Sequence, residues 1–168
     1  RAGLGIPTVF NVLGPLSHPG QPKRQVVGAA DPGLADRMLE VFRANGSLYT
    51  WLVTGHDALD EIALTGPTRI LELREGVDRE WTLDPVEIGM SLADASDLAG
   101  GGPERNAEIA LAMFAGDERG PRRDMVALNA GAGLVVAGIA DEIADGVERA
   151  IAALDDGSAA AALDSIST

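Results

Sequence analysis

The chain has 168 residues, of which 46% are hydrophobic and 23% are charged, as is usual for a globular domain with its own core. Its net charge of −13 argues against non-specific nucleic-acid binding, which requires clustered lysine and arginine. Cysteine is absent, which excludes disulfides, thiolate metal sites and cysteine nucleophiles. Aromatic residues make up only 4%, so we expect a core of Ala, Val, Leu and Ile.

The first third of the chain predicts two strands with a helix between them. Glycine and proline are frequent in residues 1–24, which we interpret mainly as loop, with a short helical or turn segment around residues 9–13. Short apolar runs at residues 25–29 (QVVGA) and 49–54 (YTWLVT) predict buried strands. Asp31, followed by proline, resembles a helix N-cap, and a glycine fifteen residues later would end that helix.

The next stretch predicts further strands. Residues 62–64 and 69–73 are strand candidates, and residues 80–83 would return antiparallel after a Glu-Gly turn at residues 75–76.

Beyond about residue 84 the pattern becomes helical. Apolar residues recur at helical spacing in residues 107–114, 125–135 and 143–154. Strands that alternate with helices early, followed by helices alone, predict an α/β fold with a mixed, mostly parallel sheet flanked by helices.

We expect residues 1–168 to form a single domain. No signal peptide and no membrane-spanning apolar run are apparent, so we expect a cytoplasmic protein. Because the chain begins with Arg1, we interpret it as a fragment or a processed piece.

An acidic pair is the first candidate for chemistry. Asp60 and Glu61 follow the second predicted strand, and ligands of α/β sheets bind at the carboxyl ends of strands. Adjacent carboxylates suit Mg²⁺, which takes one or two protein carboxylates together with substrate phosphates. In a chain with 26 acidic residues, a solvated acidic dipeptide is the alternative interpretation.

Other features allow both a functional and a purely structural interpretation. Residues 100–102 (GGG) are either a phosphate-binding loop at a helix start or a flexible turn. His18 and His56, the two histidines, are either bases or ligands, or hydrogen-bonded surface residues. Arg1 either captures a carboxylate or is a frayed terminal side chain, and Gly14 would let a planar ligand approach closely.

Three blocks of sequence, in this order, resemble one enzyme family. Residues 1–19 (RAGLGIPTVFNVLGPLSHP) resemble the R-x-x-L-G-[IV]-x-T-[IV]-F-N-x-L-G-P-L-[ST]-N-P segment of anthranilate phosphoribosyltransferases. Residues 59–68 (LDEIALTGPT) resemble their L-D-E-[IV]-[ST]-x-T-G-P-T block. Residues 100–107 and residues 128–130 (LNA) resemble their C-terminal G-G-x-x-x-x-N-A and L-N-A motifs.

The resemblance implies the fold of the nucleoside-phosphorylase-like phosphoribosyltransferases, in which this chain would be most of the large α/β domain without the small helical one. It implies transfer of the 5-phosphoribosyl group from phosphoribosyl pyrophosphate to anthranilate in tryptophan biosynthesis, by a homodimer. Arg1 would hold the anthranilate carboxylate, and Gly14 would line the anthranilate channel. Asp60 and Glu61 would bind Mg²⁺ beside the pyrophosphate, and no catalytic nucleophile is implied.

The sequence also departs from the family pattern. His18 replaces the usual Asn, Gly55 and His56 invert the usual His-Gly order, and Ala58 replaces a usual Gly. The family's G-T-G-G-D loop and K-H-G-N-R segment are missing from the sequence, so we expect these residues alone to be inactive. Alternatives are a pyrimidine nucleoside phosphorylase relative and a non-catalytic nucleic-acid-binding homologue, the latter opposed by the net charge.

Overall fold

The structure is a computed structural model that describes residues 14–166. Its sheet has the strand order β1-β2-β3-β4, in which β1 and β2 are parallel and the other two pairings are antiparallel. The strands are β1 (Arg24–Gly28), β2 (Tyr49–Thr54), β3 (Thr68–Arg74) and β4 (Val77–Leu83).

The predicted α/β class and the mixed sheet are confirmed, but the expectation of a mostly parallel sheet is wrong for the part of the chain described. Of the three strand pairings, one is parallel. The connections account for two of the three pairings, because a parallel pair needs a long crossover whereas an antiparallel pair can be joined by a tight turn. A helix connects β1 to β2, and Glu75 and Gly76, both at positive φ, form the predicted turn from β3 to β4.

Helices account for the remaining regular structure, together with the helical residues 14–16 and short 3₁₀ turns at His56–Ala58 and Pro85–Ile88. Within residues 14–166, none of the helices is both long and apolar enough to cross a membrane. The helices are α1 (Pro32–Ala44), α2 (Ala95–Leu98), α3 (Pro103–Ala115), α4 (Pro121–Ala137), α5 (Ile143–Asp155) and α6 (Ser158–Ile166).

The start and end of α1 confirm the interpretation of its flanking residues. The carboxylate of Asp31 accepts hydrogen bonds from the backbone N–H groups of Gly33 (2.8 Å) and Leu34 (3.2 Å), as an N-cap does. Gly46, at φ +69°, follows the end of the helix in the left-handed conformation that glycine adopts without strain.

Two hydrophobic clusters lie on opposite faces of the sheet, so the fold has three layers. Helix α1 covers one face, and α4 and α5 cover the other. The first cluster is Ala29, Ala35, Met38, Leu39, Phe42, Leu52, Leu71 and Leu73. The second cluster is also mainly aliphatic, but it includes Tyr49 and Trp51, and Trp51 meets the half-buried Trp81 edge to face with centroids 5.3 Å apart.

Helices α4 and α5 pack with their backbones in direct contact. An ideal Cβ on Gly131 of α4 would lie 2.7 Å from the backbone nitrogen of Val147 in α5. Gly146 of α5 faces the carbonyl of Gly131 just as closely. The absence of side chains at this crossing therefore sets the distance between the two helices that cover the sheet.

We expect Gly131→Ala to lower the free energy of unfolding by about 1–3 kcal/mol, because the added methyl group must push α4 and α5 apart. Gly133→Ala on the same helix is the matched control, since a Cβ there meets no atom within 4 Å. It should raise the stability by about 0.5–1 kcal/mol through helix propensity alone. Urea denaturation of both variants measures the difference, and shifts of the same sign would contradict the close crossing.

Asp124 in α4 should make stability depend on pH, because burial raises the pKa of its carboxyl, only partly opposed by the neighbouring Arg123. Between the ordinary and the raised pKa, the folded chain keeps a proton that the unfolded chain has released, so stability falls as pH rises. We expect Asp124→Asn to gain stability over the parent chain at neutral pH and to lose this advantage below about pH 4. An equal difference in denaturation midpoint at both pH values would contradict burial as the cause.

Candidate functional site

The acidic pair lies at the carboxyl edge of the parallel strands, as predicted. Asp60 and Glu61 are both exposed, in the loop between β2 and β3. A Cβ on Gly28, the last residue of β1, would overlap the carbonyl oxygen of Asp60. A Cβ on Gly55, directly after β2, would overlap the carbonyl oxygen of Glu61. The backbone of the pair therefore rests on the ends of both strands, where only glycine leaves room.

Hydrogen bonds on both sides hold this loop in place. The N–H of Gly55 donates to the carbonyl of Leu59 (2.8 Å), which closes the turn before the pair. After the pair, the N–H of Ala63 donates to the Oγ1 of Thr68 (3.0 Å), and the side chain of Asn129 in α4 bonds Ile62.

Residues 62–64, which immediately follow the pair, were predicted as a strand, and that prediction is wrong. They are fully buried but belong to no strand, because side chains of other elements satisfy backbone groups that a neighbouring strand would otherwise pair. An apolar run of three residues indicates burial, whereas strand pairing depends on what lies beside it.

The two carboxylates keep their oxygen atoms available. Within residues 14–166, no hydrogen-bond donor and no cation pairs with the side chain of Asp60 or Glu61, and no group of three or more His, Asp or Glu side chains suited to a metal is found. Mg²⁺ binds oxygen ligands and fills most of its coordination sphere with water and phosphate. A pair of exposed carboxylates on a fixed backbone fits that ion.

The turn before the acidic pair is strained. Asp57 and Ala58 have φ angles of 57° and 60°, a conformation that costs non-glycine residues energy. The Nδ1 of His56 lies 3.1 Å from the Oδ2 of Asp57, and its ring packs on Gly66, where a Cβ would be 2.7 Å away. His56 is thus a surface residue held by neighbours, which supports the structural interpretation of this histidine.

His18 belongs to a different part of the molecule. Residues 14–16 are helical, and His18 accepts a hydrogen bond from the N–H of Gly20 through Nδ1 (3.0 Å). A groove of about 240 Å³ is lined by Leu16, His18, Lys23 and Ser47, among others. Because Lys23 and Ser47 precede β1 and β2, the groove lies at the opposite ends of these strands from the acidic pair.

The two residues predicted to bind substrate are not tested by the structure. Gly14 is exposed, and a Cβ there would meet nothing within 4 Å, so no contact within the described chain requires glycine. Arg1 lies outside the described residues. The roles of both residues remain predictions.

Residues 100–102 form a turn that leads into a helix. Gly102 is the N-cap of α3, and the N–H of Gly101 donates to the Oδ1 of Asn106 in the first turns of that helix (2.7 Å). The N–H of Gly101, which a bound phosphate would need as a donor, is therefore already used within the chain. This arrangement supports the interpretation as a turn.

Asn129 contributes to the site, although the sequence alone predicts no role for it. It lies in the L-N-A motif, directly after the buried Leu128, and its amide bonds the loop that contains the acidic pair. The available signal was an amide side chain next to the apolar face of a predicted helix, where a polar group needs a partner.

A family model described as "Glycosyl transferase family, a/b domain" matches residues 1–160. The chain belongs to this family. Among curated relatives, the anthranilate phosphoribosyltransferase of Methylorubrum extorquens (strain PA1) is 48% identical over 159 residues, covering 95% of this chain and 47% of the relative. The enzyme of the same name from Pelotomaculum thermopropionicum is 46% identical over 97% of this chain and 47% of its own. The family resemblance found in the sequence is confirmed.

Solved structures agree with these relatives. Anthranilate phosphoribosyltransferase from Thermus thermophilus superposes with a TM-score of 0.86 at 38% identity, covering 98% of this chain and 48% of that one. The Saccharomyces cerevisiae enzyme "in complex with PRPP and Mg" gives a TM-score of 0.85 at 28% identity, over 98% of this chain and 47% of the other. The chain thus spans about half the length of the relatives it matches.

We expect Ala58→Gly to raise the free energy of unfolding by up to about 1 kcal/mol, because glycine relieves the left-handed strain but adds freedom to the unfolded chain. Ala110→Gly, at an exposed position inside α3, is the control and should cost about 1 kcal/mol. Chemical denaturation measures both variants. A loss of stability in Ala58→Gly equal to that of the control would contradict the strain.

Proposed function

We propose that this chain is the α/β part of an anthranilate phosphoribosyltransferase. The whole protein would transfer the 5-phosphoribosyl group from phosphoribosyl pyrophosphate to the amine of anthranilate in tryptophan biosynthesis, with pyrophosphate as the leaving group. The observation that supports this most directly is the acidic pair, held at the carboxyl ends of β1 and β2 in a chain whose relatives bear that name. The relatives favour this function over that of a pyrimidine nucleoside phosphorylase.

In this proposal Asp60 and Glu61 bind Mg²⁺. The bound ion would neutralise charge that develops on the departing pyrophosphate. The protein contributes a backbone that is fixed before the ion arrives, so little reorganisation is needed when it binds. Two solved structures of the yeast relative are described as having Mg bound, one of them together with PRPP.

The remaining steps need positioning rather than a covalent nucleophile. We propose that the guanidinium of Arg1 holds the anthranilate carboxylate and that Gly14 lines the path of the ring. As the sugar carbon loses pyrophosphate it becomes cationic, by analogy with glycosyl transfer, and a neutral amine held against it can attack directly.

We propose a corresponding organisation for the whole protein. Residues 1–168 would form a single α/β domain, and the small helical domain and the glycine-rich pyrophosphate loop would come from sequence that this chain does not contain. The complete protein would be a cytoplasmic homodimer with no nucleic-acid or membrane partner. The net charge of −13 supports the exclusion of nucleic acid.

A hybrid enzyme tests the function. Joining this chain to the part of the Methylorubrum relative that it does not cover should restore turnover of labelled anthranilate, whereas the chain alone should show none. In the hybrid, we expect Asp60→Asn and Glu61→Gln each to lower kcat/KM by about a hundredfold or more, since each removes a charge that holds the metal.

Asp57→Asn in the same hybrid is the matched control, because it removes an exposed acid only three residues before the pair. It should retain most of the activity. Turnover by the chain alone would contradict the proposed division of the active site. An active hybrid that tolerates both Asp60→Asn and Glu61→Gln would contradict the assignment of the metal ligands.

A further inference from the structure

We propose that Asn129 is a positioning residue for the metal site, which fixes the backbone so that Asp60 and Glu61 present their carboxylates to Mg²⁺. This inference rests on the proposed function and adds a residue to it. Asn129 lies on α4, 67 positions away in the sequence from the loop that it bonds.

The side chain of Asn129 bonds both main-chain groups of one residue. Its Oδ1 accepts from the N–H of Ile62 at 3.0 Å, and its Nδ2 donates to the carbonyl of Ile62 at 2.9 Å. The same Nδ2 also donates to the carbonyl of Met125, one turn earlier in α4, at 3.0 Å. The amide thus takes the place of a neighbouring β-strand for a buried residue that belongs to no strand.

The first of these bonds acts directly on the acidic pair. The N–H of Ile62 and the carbonyl of Glu61 belong to one planar peptide unit, so fixing one fixes the other. The carbonyl side of that unit rests against Gly55 at the end of β2, and the N–H side is held by Asn129. The peptide is therefore held from both sides, which determines the position of the Cα of Glu61.

The helix that carries Asn129 is itself rigidly placed. Leu128 and Ala132 beside it are fully buried in the core between the sheet and α5. Near the start of α4, the buried Arg123 donates to the carboxylate of Asp155 at the end of α5 (2.8 Å). Asn129 therefore ties a surface loop to a fixed element rather than to another loop.

The chemistry of the contact requires an amide. Asparagine offers an acceptor and two N–H donors on a short side chain, and all are used here except one lone pair. Aspartate keeps an acceptor but offers no donor when ionised. Alanine would leave both main-chain groups of the buried Ile62 without a partner, a situation that the loop can relieve only by moving.

The test uses the hybrid enzyme described above and three variants of it. Asn129→Ala removes both bonds to the loop, and Asn129→Asp removes the donor. Val135→Ala shortens a buried side chain on the same helix and removes no hydrogen bond to the loop, so it is the control for a general loss of stability. Heteronuclear NMR measures hydrogen exchange of the Ile62 amide, and Mn²⁺ added with pyrophosphate reports metal binding through paramagnetic broadening of the Asp60 and Glu61 amide signals.

We expect Asn129→Ala to speed exchange of the Ile62 amide and to weaken Mn²⁺ binding about tenfold or more, as losses of groups that orient metal ligands do. Asn129→Asp should weaken binding in the same direction. Val135→Ala should leave the affinity unchanged. Wild-type affinity in Asn129→Ala, or an equal loss in Val135→Ala, would overturn the positioning role. Absence of broadening in the hybrid without these substitutions would instead contradict the metal assignment of the proposed function.

Discussion

The close contact between the loop that contains the acidic pair and the ends of two parallel strands is the constraint on which the site depends. Gly28 and Gly55 have no side chain, so the carbonyls of Asp60 and Glu61 can rest directly on β1 and β2. Any larger residue at either position would move the loop away from the sheet. The acidic pair occupies its place because two other positions in the chain carry no side chain.

Because of this contact, the loop has a fixed backbone while its two carboxylates stay charged and exposed. The backbone of the loop is bonded by Asn129 and by Thr68, and the residues that follow it are buried, while the two carboxylates remain exposed. Burying a charged group carries a desolvation penalty, and ordering a mobile loop around an ion carries an entropic penalty. Exposed side chains on a fixed backbone avoid both penalties, which suits a site for a hydrated cation and a phosphate.

Local signals in the sequence predicted those features that depend on neighbouring residues. Asp31 followed by proline predicted the start of α1, and Glu75-Gly76 predicted the turn between β3 and β4. Prediction from the sequence failed where a residue far away in the chain determines the local structure. Residues 62–64 are apolar enough for a strand, but the amide of Asn129 and the hydroxyl of Thr68 provide the hydrogen bonds instead.

By itself, the sequence determined the α/β class and excluded cysteine chemistry. It also contains the three motifs, in order, that indicated a family relationship. Composition, periodicity and motif spacing are properties of the chain alone, so the sequence is enough to find them. Only the tertiary structure decided that the sheet is mainly antiparallel in the part described, that residues 100–102 are a turn, and that Asn129 bonds the loop that bears the acidic pair. These facts depend on contacts between elements far apart in the chain, and side-chain hydrogen bonds across such distances leave no periodic pattern in a sequence.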